Sequence, residues 1–154
     1  MMFLNISSIS GFFSNIQNQT FRQLSQTGKQ SVSWNLIDKF YRIVIAHYNI
    51  IDSSLRMKRD MSSGNKTQIS WNKLDISPRL RYELTCLITT LLKNLDNFDI
   101  DKLINQDSEL IEEDKTIVKN AYYSLMKNIQ LVSQLLDEPC FGREKIEEEN
   151  ENVN

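Results

Sequence analysis

The chain has 154 residues, of which 40% are hydrophobic and 25% charged, and these ordinary globular values exclude a wholly disordered protein. With two cysteines and one histidine, it has neither a disulfide framework nor a Cys/His metal cluster. No apolar run approaches the roughly 20 residues needed to cross a bilayer, and the first residues lack the cationic start of a signal peptide. The expected location is therefore the cytosol or the nucleus, with the cytoplasm as our working prediction.

The net charge of −2 hides an asymmetry between the two halves of the chain. Residues 1–81 contain 11 Lys and Arg against 4 Asp and Glu, whereas residues 82–154 contain 7 against 16. Such a distribution favours attraction within the molecule, or a face suited to anions. Ordinary solvated surfaces are the simpler interpretation.

The first segment, residues 3–27, has the periodicity of an amphipathic helix, and Gly28 is expected to close it. The polar face carries no charge before Arg22. Two interpretations are open for this N-terminal helix, residues 1–28. The favoured one docks its apolar stripe on the core, and the other inserts the stripe into a lipid surface. The stripe includes Ile6, Ile9, Phe13, Ile16 and Leu24.

The second helix is expected from Ser33 to about Met57, and a long loop should occupy residues 58–77. Two adjacent apolar stripes run along this helix. An apolar surface this wide must touch neighbours on two sides, which predicts the central helix of a bundle. One stripe is Trp34, Ile37, Tyr41, Val44, Tyr48, Ile51 and Leu55, and the other is Leu36, Phe40, Ile43, Ile50 and Met57.

The third helix should begin at Ser77 and Pro78, an N-cap residue followed by proline in the first helical position. A fourth helix is expected from Asp107 or Ser108 to the residue before Pro139. The acidic residues 139–154 are predicted to form a disordered tail. The sequence therefore predicts an all-α antiparallel bundle of about four main helices, with residues 33–138 as the bundle domain.

The sequence contains few patterns that are typical of catalytic sites. His47 is the single histidine, it lies in the central helix, and both cysteines lie in other segments. A half-buried or interfacial imidazole is the simpler interpretation of His47. Nucleophile-elbow, phosphate-loop and Glu-x-x-His patterns are absent. We predict a protein that is not an enzyme and that needs no metal or cofactor.

A basic cluster spans the end of the second helix, the loop and the start of the third helix. One interpretation is an anion site, for example for lipid phosphates. The other is that Lys and Arg simply suit helix ends and solvated loops. Nucleic acid is not an expected partner, because the chain is acidic overall and lacks helix-turn-helix spacing. The cluster consists of Arg56, Lys58, Arg59, Lys66, Lys73, Arg79 and Arg81.

Three short segments resemble one known family. Residues 37–43 (Ile-Asp-Lys-Phe-Tyr-Arg-Ile) are similar to a Leu-Asp-Glu-Leu-Tyr-Arg-Val segment of the TIPE family (tumour-necrosis-factor-α-induced protein 8-like). Residues 87–93 (Leu-Ile-Thr-Thr-Leu-Leu-Lys) resemble that family's Leu-Ile-Lys-Thr-Val-Ile-Lys run. Residues 106–110 (Gln-Asp-Ser-Glu-Leu) fall where the family has a Gln-Asp-Glu-Leu helix start. Together these segments lie within residues 33–138.

This resemblance implies a helical bundle that encloses an apolar cavity for lipid tails, with basic residues at its mouth that meet phosphoinositides. The family's members are cytosolic regulators of cell death, inflammation and lipid signalling. Arg42 is the basic residue that the matched motif carries over. Two departures are the loop at 58–77 and the acidic stretch after Pro139, where the family has its closing helices.

The candidate residues form two sets. The first, for lipid or anion binding, is Arg42, Arg56, Lys58, Arg59, Arg79 and Arg81. The second, an apolar core or cavity, is Ile37, Tyr41, Val44, Tyr48, Leu84, Ile88, Leu91, Leu125 and Ile129.

Two functions remain open at this point. One is a regulatory protein that binds lipid in a cavity or at a membrane surface. The other is a helical protein–protein interaction module, either an apoptosis-regulator-like groove protein or an assembly subunit. Residues 70–73 (Ser-Trp-Asn-Lys) are distantly similar to the Asn-Trp-Gly-Arg signature of such groove proteins, but lack its Gly-Arg. Lipid and protein partners are therefore both expected candidates.

Overall fold

The computed structural model of the protein describes residues 8–61 and 76–136, without the side chains of residues 55–61. In these two ranges the chain forms six α-helices and no β-strand, which confirms the all-α prediction. The helices are α1 (Ile9–Gln23), α2 (Gln26–Lys29), α3 (Val32–Met61), α4 (Pro78–Asp96), α5 (Ile100–Gln106) and α6 (Glu112–Leu135).

The four long helices alternate in direction, as expected for an antiparallel bundle. The start of α1 meets the far part of α3, where the Ile9 amide donates to Asp52. The end of α1 meets the start of α3, where the rings of Phe21 and Trp34 are 6.4 Å apart. At the other side of the bundle, Tyr122 of α6 donates its hydroxyl to the carbonyl of Leu95, near the end of α4.

The core lies between these helices and forms one hydrophobic cluster. Burial of a large aliphatic or aromatic side chain contributes roughly 1.5–3 kcal/mol, so the cluster is the main stabilising feature of the fold. All nine residues of the predicted apolar set are buried in it, with Leu91 the most exposed at 6%. Each of the helices α3, α4 and α6 contributes an apolar face, as the 3.6-residue periodicity predicts. The second predicted stripe of α3 is less buried than expected, since Ile43 is 37% and Ile50 is 40% exposed.

The N-terminal stripe also packs into this core. Ile9 and Phe13 are buried, and the Phe13 ring stacks on Tyr48 with the centroids 5.4 Å apart. The docked interpretation of the first helix is therefore confirmed for these residues. In the described ranges, no helix is both long enough and apolar enough to span a membrane.

The predicted end of the first helix is wrong. α1 ends at Gln23, and Ser25 then starts the short helix α2 by accepting a hydrogen bond from the Gly28 amide at 3.0 Å. Gly28 is a buried residue of α2 rather than the residue that closes α1. A Cβ atom at Gly28 would lie 2.5 Å from Oδ2 of Asp114, so the close approach of α6 requires glycine here.

Two other predicted boundaries also need correction. α3 continues to Met61, so residues 58–61 are helical and do not belong to the predicted loop. The sequence of this last turn is rich in Lys, Arg and Met, which have high helix propensity. α6 starts at Glu112 instead of Asp107 or Ser108, because Asp107 ends α5 and accepts the Ser33 amide at 2.9 Å.

The predicted start of the third helix is confirmed. Ser77 accepts a hydrogen bond from the Leu80 amide at 3.2 Å, and Pro78 occupies the first helical turn. The predicted disordered tail at 139–154, and the part of the predicted loop from 62 to 75, lie outside the described residues.

Candidate functional site

An open groove with a volume of about 540 Å³ lies between α1 and α3. Its size is within the range of small-ligand sites, roughly 300–1,000 Å³. The walls follow helical spacing, since side chains three or four residues apart share one face. The α1 wall is Ser14, Gln17, Asn18 and Phe21; the α3 wall is Trp34, Asn35, Asp38, Arg42, Ile45, Ala46 and Asn49; Lys29 of α2 completes the lining.

An ion pair occupies the middle of this groove. Oδ1 of Asp38 accepts a hydrogen bond from Nε2 of Gln17 at 2.6 Å, which joins the two walls. Oδ2 of the same carboxylate lies 2.8 Å from Nε of Arg42. The Asp38 side chain is 17% exposed, whereas that of Arg42 is 75% exposed. A guanidinium has five N–H donors in a planar fork, so most of the donors of Arg42 remain available to an anionic ligand.

A second cation lies at the end of the groove where α1 finishes. Nζ of Lys29 is 5.2 Å from the centroid of the Phe21 ring, within cation–π distance. Phe21 is 44% exposed, and it is the bulky apolar side chain that the α1 wall offers to a ligand. Because α3 rises about 1.5 Å per residue, Trp34 and Arg42 are separated by about 12 Å along the groove.

The walls of the groove are fixed by a buried carboxylate at its other end. Asp52 of α3 is 3% exposed. It accepts the Ile9 amide at 2.6 Å, the Ser10 amide at 2.8 Å and the Ser10 hydroxyl at 2.5 Å. A carboxylate stabilises a helix start by satisfying amides that have no partner inside the helix. Asp52 therefore anchors α1 on α3.

Two more aspartates join helix starts to distant parts of the chain. Asp114 of α6 accepts the Ser25 amide at 2.9 Å and the Ser25 hydroxyl at 2.5 Å. Asp107 accepts the amides of Ser33 and Glu109. Burial opposes ionisation of Asp107, but the hydrogen bonds from Ser33 and Glu109 hold its pKa below the usual value. These contacts fix the end of the groove near Lys29.

Among the predicted anion-binding residues whose side chains the structure describes, Arg42 is the one that lines this groove. Arg79 and Arg81 lie in the first turn of α4, away from it, and Arg79 pairs with Glu83 at 3.4 Å on the surface. The side chains of Arg56, Lys58 and Arg59, as well as Lys66 and Lys73, lie outside the described part of the structure. The described residues therefore do not bring the predicted basic set together.

The predicted apolar set does not line this groove, because all nine of its members point into the core. Tyr41 shows how closely that core is packed. Its hydroxyl donates to the carbonyl of Ala121 at 2.7 Å. Burial raises the pKa of Tyr41 above its ordinary value, although a hydrogen bond with Ser124 acts in the opposite direction.

His47 is buried more deeply than expected, with 2% exposure. Neither ring nitrogen has a hydrogen-bond partner among the described residues, and the ring packs edge-on against Tyr48 at 4.6 Å. Burial lowers the pKa of His47 to about 4, so the imidazole is neutral at pH 7. Across residues 8–54 and 76–136, no group of three or more His, Cys, Asp or Glu side chains could hold a metal ion.

Comparison with known protein families, curated proteins and solved structures finds no match for this chain. The resemblance to the TIPE family stays a prediction. The groove and its contacts are therefore the features of the chain that bear on function.

Sequence reasoning missed most of the groove. Phe21 stands on the polar face of α1, and Asp38 is the one acidic residue before Asp52. Both features mark Phe21 and Asp38 as unusual positions, but neither predicts that the two residues lie in the same groove. Gln17 and Lys29 gave no signal at all, because nothing in the sequence indicates that they face α3.

Proposed function

We propose that this chain is a non-enzymatic helical regulatory protein that binds a short segment of a partner protein in the α1–α3 groove. The observation that carries this proposal is the groove of about 540 Å³, which combines an exposed aromatic ring with polar side chains and a solvent-facing guanidinium. Recognition of short segments by grooves between helices is a recurrent mode of protein interaction.

The chemistry of the walls supports a peptide ligand. Phe21 at one end of the groove and Ile45 toward the other end each offer apolar contact for an anchoring side chain, and the small side chain of Ala46 leaves room beside Ile45. Asn18, Asn35 and Asn49 carry amides that can both donate to and accept from a peptide backbone. Asp52 and the Gln17–Asp38 hydrogen bond hold the two walls in place before a ligand arrives. Such preorganisation reduces the ordering cost of binding.

A second candidate function is binding to anionic lipid at a membrane surface, and the exposure of Arg42 favours it. A guanidinium pairs with a phosphate through two parallel hydrogen bonds. Since Ile9 and Phe13 are buried in the core, lipid contact in this form would rest on headgroup attraction rather than on insertion of α1. Such binding should weaken strongly as salt is added.

The deciding experiment is selection of peptides from a random 12-residue display library on the immobilised full-length protein. Ala46→Arg fills the groove from its α3 wall. Asn120→Arg introduces the same side chain at an exposed position of α6 outside the groove, and serves as the matched control. We expect selected peptides to bind the control like the parent protein, and to bind Ala46→Arg at least about tenfold more weakly, a change of 1.4 kcal/mol.

Peptides that bind all three proteins equally would place binding elsewhere and refute the groove proposal. A parallel measurement uses phosphatidylcholine vesicles that contain phosphatidylserine or a phosphoinositide. Vesicle binding that falls with salt and with Arg42→Gln, combined with a failed peptide selection, would replace the peptide function by the lipid function.

A further inference from the structure

The groove and the acidic end of the chain carry opposite charges. The groove presents Lys29 and Arg42, and Asp38 is its single acidic lining residue. α1 contains no acidic residue, so its wall adds no repulsion. Residues 143–151, the Glu-rich segment, contain five glutamates against one arginine and one lysine.

The connection between α6 and this segment is long enough to reach the groove. α6 runs in the direction of α3, since Asp107 meets Ser33 and Ala121 meets Tyr41, and is therefore antiparallel to α1. Asp114 binds Ser25 near the Lys29 end of the groove, and Leu136 lies 22 positions later, so this end is about 33 Å from Leu136. At roughly 3.3 Å per residue, the chain can span about 36 Å from Leu136 to Glu147 and about 50 Å from Leu136 to Glu151. The Glu-rich segment can therefore reach either end of the groove, with a margin that grows from Glu147 to Glu151.

We propose that the Glu-rich segment binds in the α1–α3 groove of its own molecule, with glutamates paired to Arg42 and Lys29. Exposed ion pairs are individually weak, but a tethered segment has an effective concentration in the millimolar range. Weak contacts then suffice for substantial occupancy. This inference rests on the proposed function, because it makes the Glu-rich segment a competitor that a partner must displace.

Zero-length carbodiimide crosslinking tests this placement directly, because it joins a lysine amine to a carboxylate only when the two are in contact. The full-length protein is crosslinked at low salt and at 0.5 M salt, and the products are mapped by mass spectrometry. We expect crosslinks within the monomer from Lys29 to Glu147, Glu148 or Glu149, at a yield at least threefold lower in high salt. Lys127, exposed on α6 outside the groove, is the internal reference and should give few such products.

Two variants show whether Arg42 directs the segment. Arg42→Gln should lower the yield of Lys29–glutamate crosslinks at least threefold. Arg79→Gln removes an exposed arginine that lies outside the groove, so it should leave the yield unchanged. Circular dichroism checks that both variants keep the helical content of the parent protein.

A triple change of Glu147, Glu148 and Glu149 to Gln adds a functional measure. If the segment competes with partners, peptides selected for groove binding should bind this variant at least threefold more tightly. Unchanged peptide affinity would overturn the competition while leaving the groove proposal intact, whereas a selection that yields no groove peptides would refute the proposed function instead.

Three other results would overturn the intramolecular placement. Equal crosslinking of Lys29 and Lys127 would show that the segment has no fixed site. Crosslinks confined to dimers would assign the groove to the segment of a second copy. A Lys29 yield that Arg42→Gln does not change would show that the groove cations do not recruit the segment.

Discussion

Two aspartates of α3, Asp38 and Asp52, contact the same neighbouring helix in very different ways. Asp52 is 3% exposed and both of its oxygens serve the start of α1. Asp38 is 17% exposed and divides its oxygens between Gln17 of α1 and the solvent-facing Arg42. The comparison shows that two parts of the α1–α3 interface have different roles. The buried end fixes the two helices, and the half-open middle presents a charged group to the solvent.

The largest expected loss of stability comes from a substitution on the core face of α3, and a substitution on its groove face should cost much less. Val44→Asp should destabilise the protein by about 4 kcal/mol, because it buries a charge without a partner. Ala46→Asp, two residues further on the groove face, should cost less than about 0.5 kcal/mol, as exposed substitutions usually do. Urea unfolding of the two variants measures the difference, and equal losses would show that the two faces are not distinct.

Acid should lower the free energy of unfolding of the protein through the buried His47, whose ordinary pKa of 6.5 falls to about 4 in the folded protein. Between these two values the unfolded chain binds a proton that the folded chain does not. The stability that the folded protein gains from a neutral His47 is therefore fully present above pH 6.5, and it is lost as the pH falls toward 4. At about 1.4 kcal/mol per pKa unit, the loss is roughly 3 kcal/mol.

His47→Leu removes this titration and is the matched variant for the pH series. The unfolding free energy of the parent minus that of the variant should rise as the pH increases from about 4 to 6.5, and should stay constant outside this window. A difference that stays constant across this window would mean that burial does not shift the histidine pKa.

Substitution of Asp52 and of Asp38 tests whether the two aspartates have different roles. Asp52→Asn should cost about 2 kcal/mol, because an amide oxygen cannot satisfy three donors as a carboxylate does. Asp38→Asn should cost about 0.5 kcal/mol, since its ion-pair partner Arg42 is largely exposed. Thermal unfolding gives the ranking, and a reversed order would assign the anchoring role to Asp38.

The fold was predictable in those features that depend on local periodicity. The first apolar stripe of α3, from Trp34 to Ile51, identified the buried face of that helix, whereas Ile43 and Ile50 of the second stripe are exposed. Ser77 with Pro78 located the start of α4. The ends of α1 and the start of α6 were not predictable in this way. They depend on Ser25 meeting Asp114 and on Asp107 meeting Ser33, contacts between residues 89 and 74 positions apart.

The candidate site was predictable only in part, for a related reason. Arg42 was identified through a family resemblance, but the groove around it consists of polar residues from separate helices. Polar surface residues have no periodicity that identifies a partner, and the pairing of Gln17 with Asp38 arises only after α1 has docked. The buried depth of His47 was likewise unpredictable, because it depends on neighbours from elsewhere in the chain.

The anchor at Asp52 also has a consequence for synthesis of the chain. The amide of Ser10 and its carboxylate acceptor are 42 positions apart, so α1 leaves the ribosome well before its anchor exists. An isolated helix of this length is only marginally stable in water. α1 is therefore stabilised only after the later helix α3 has been made.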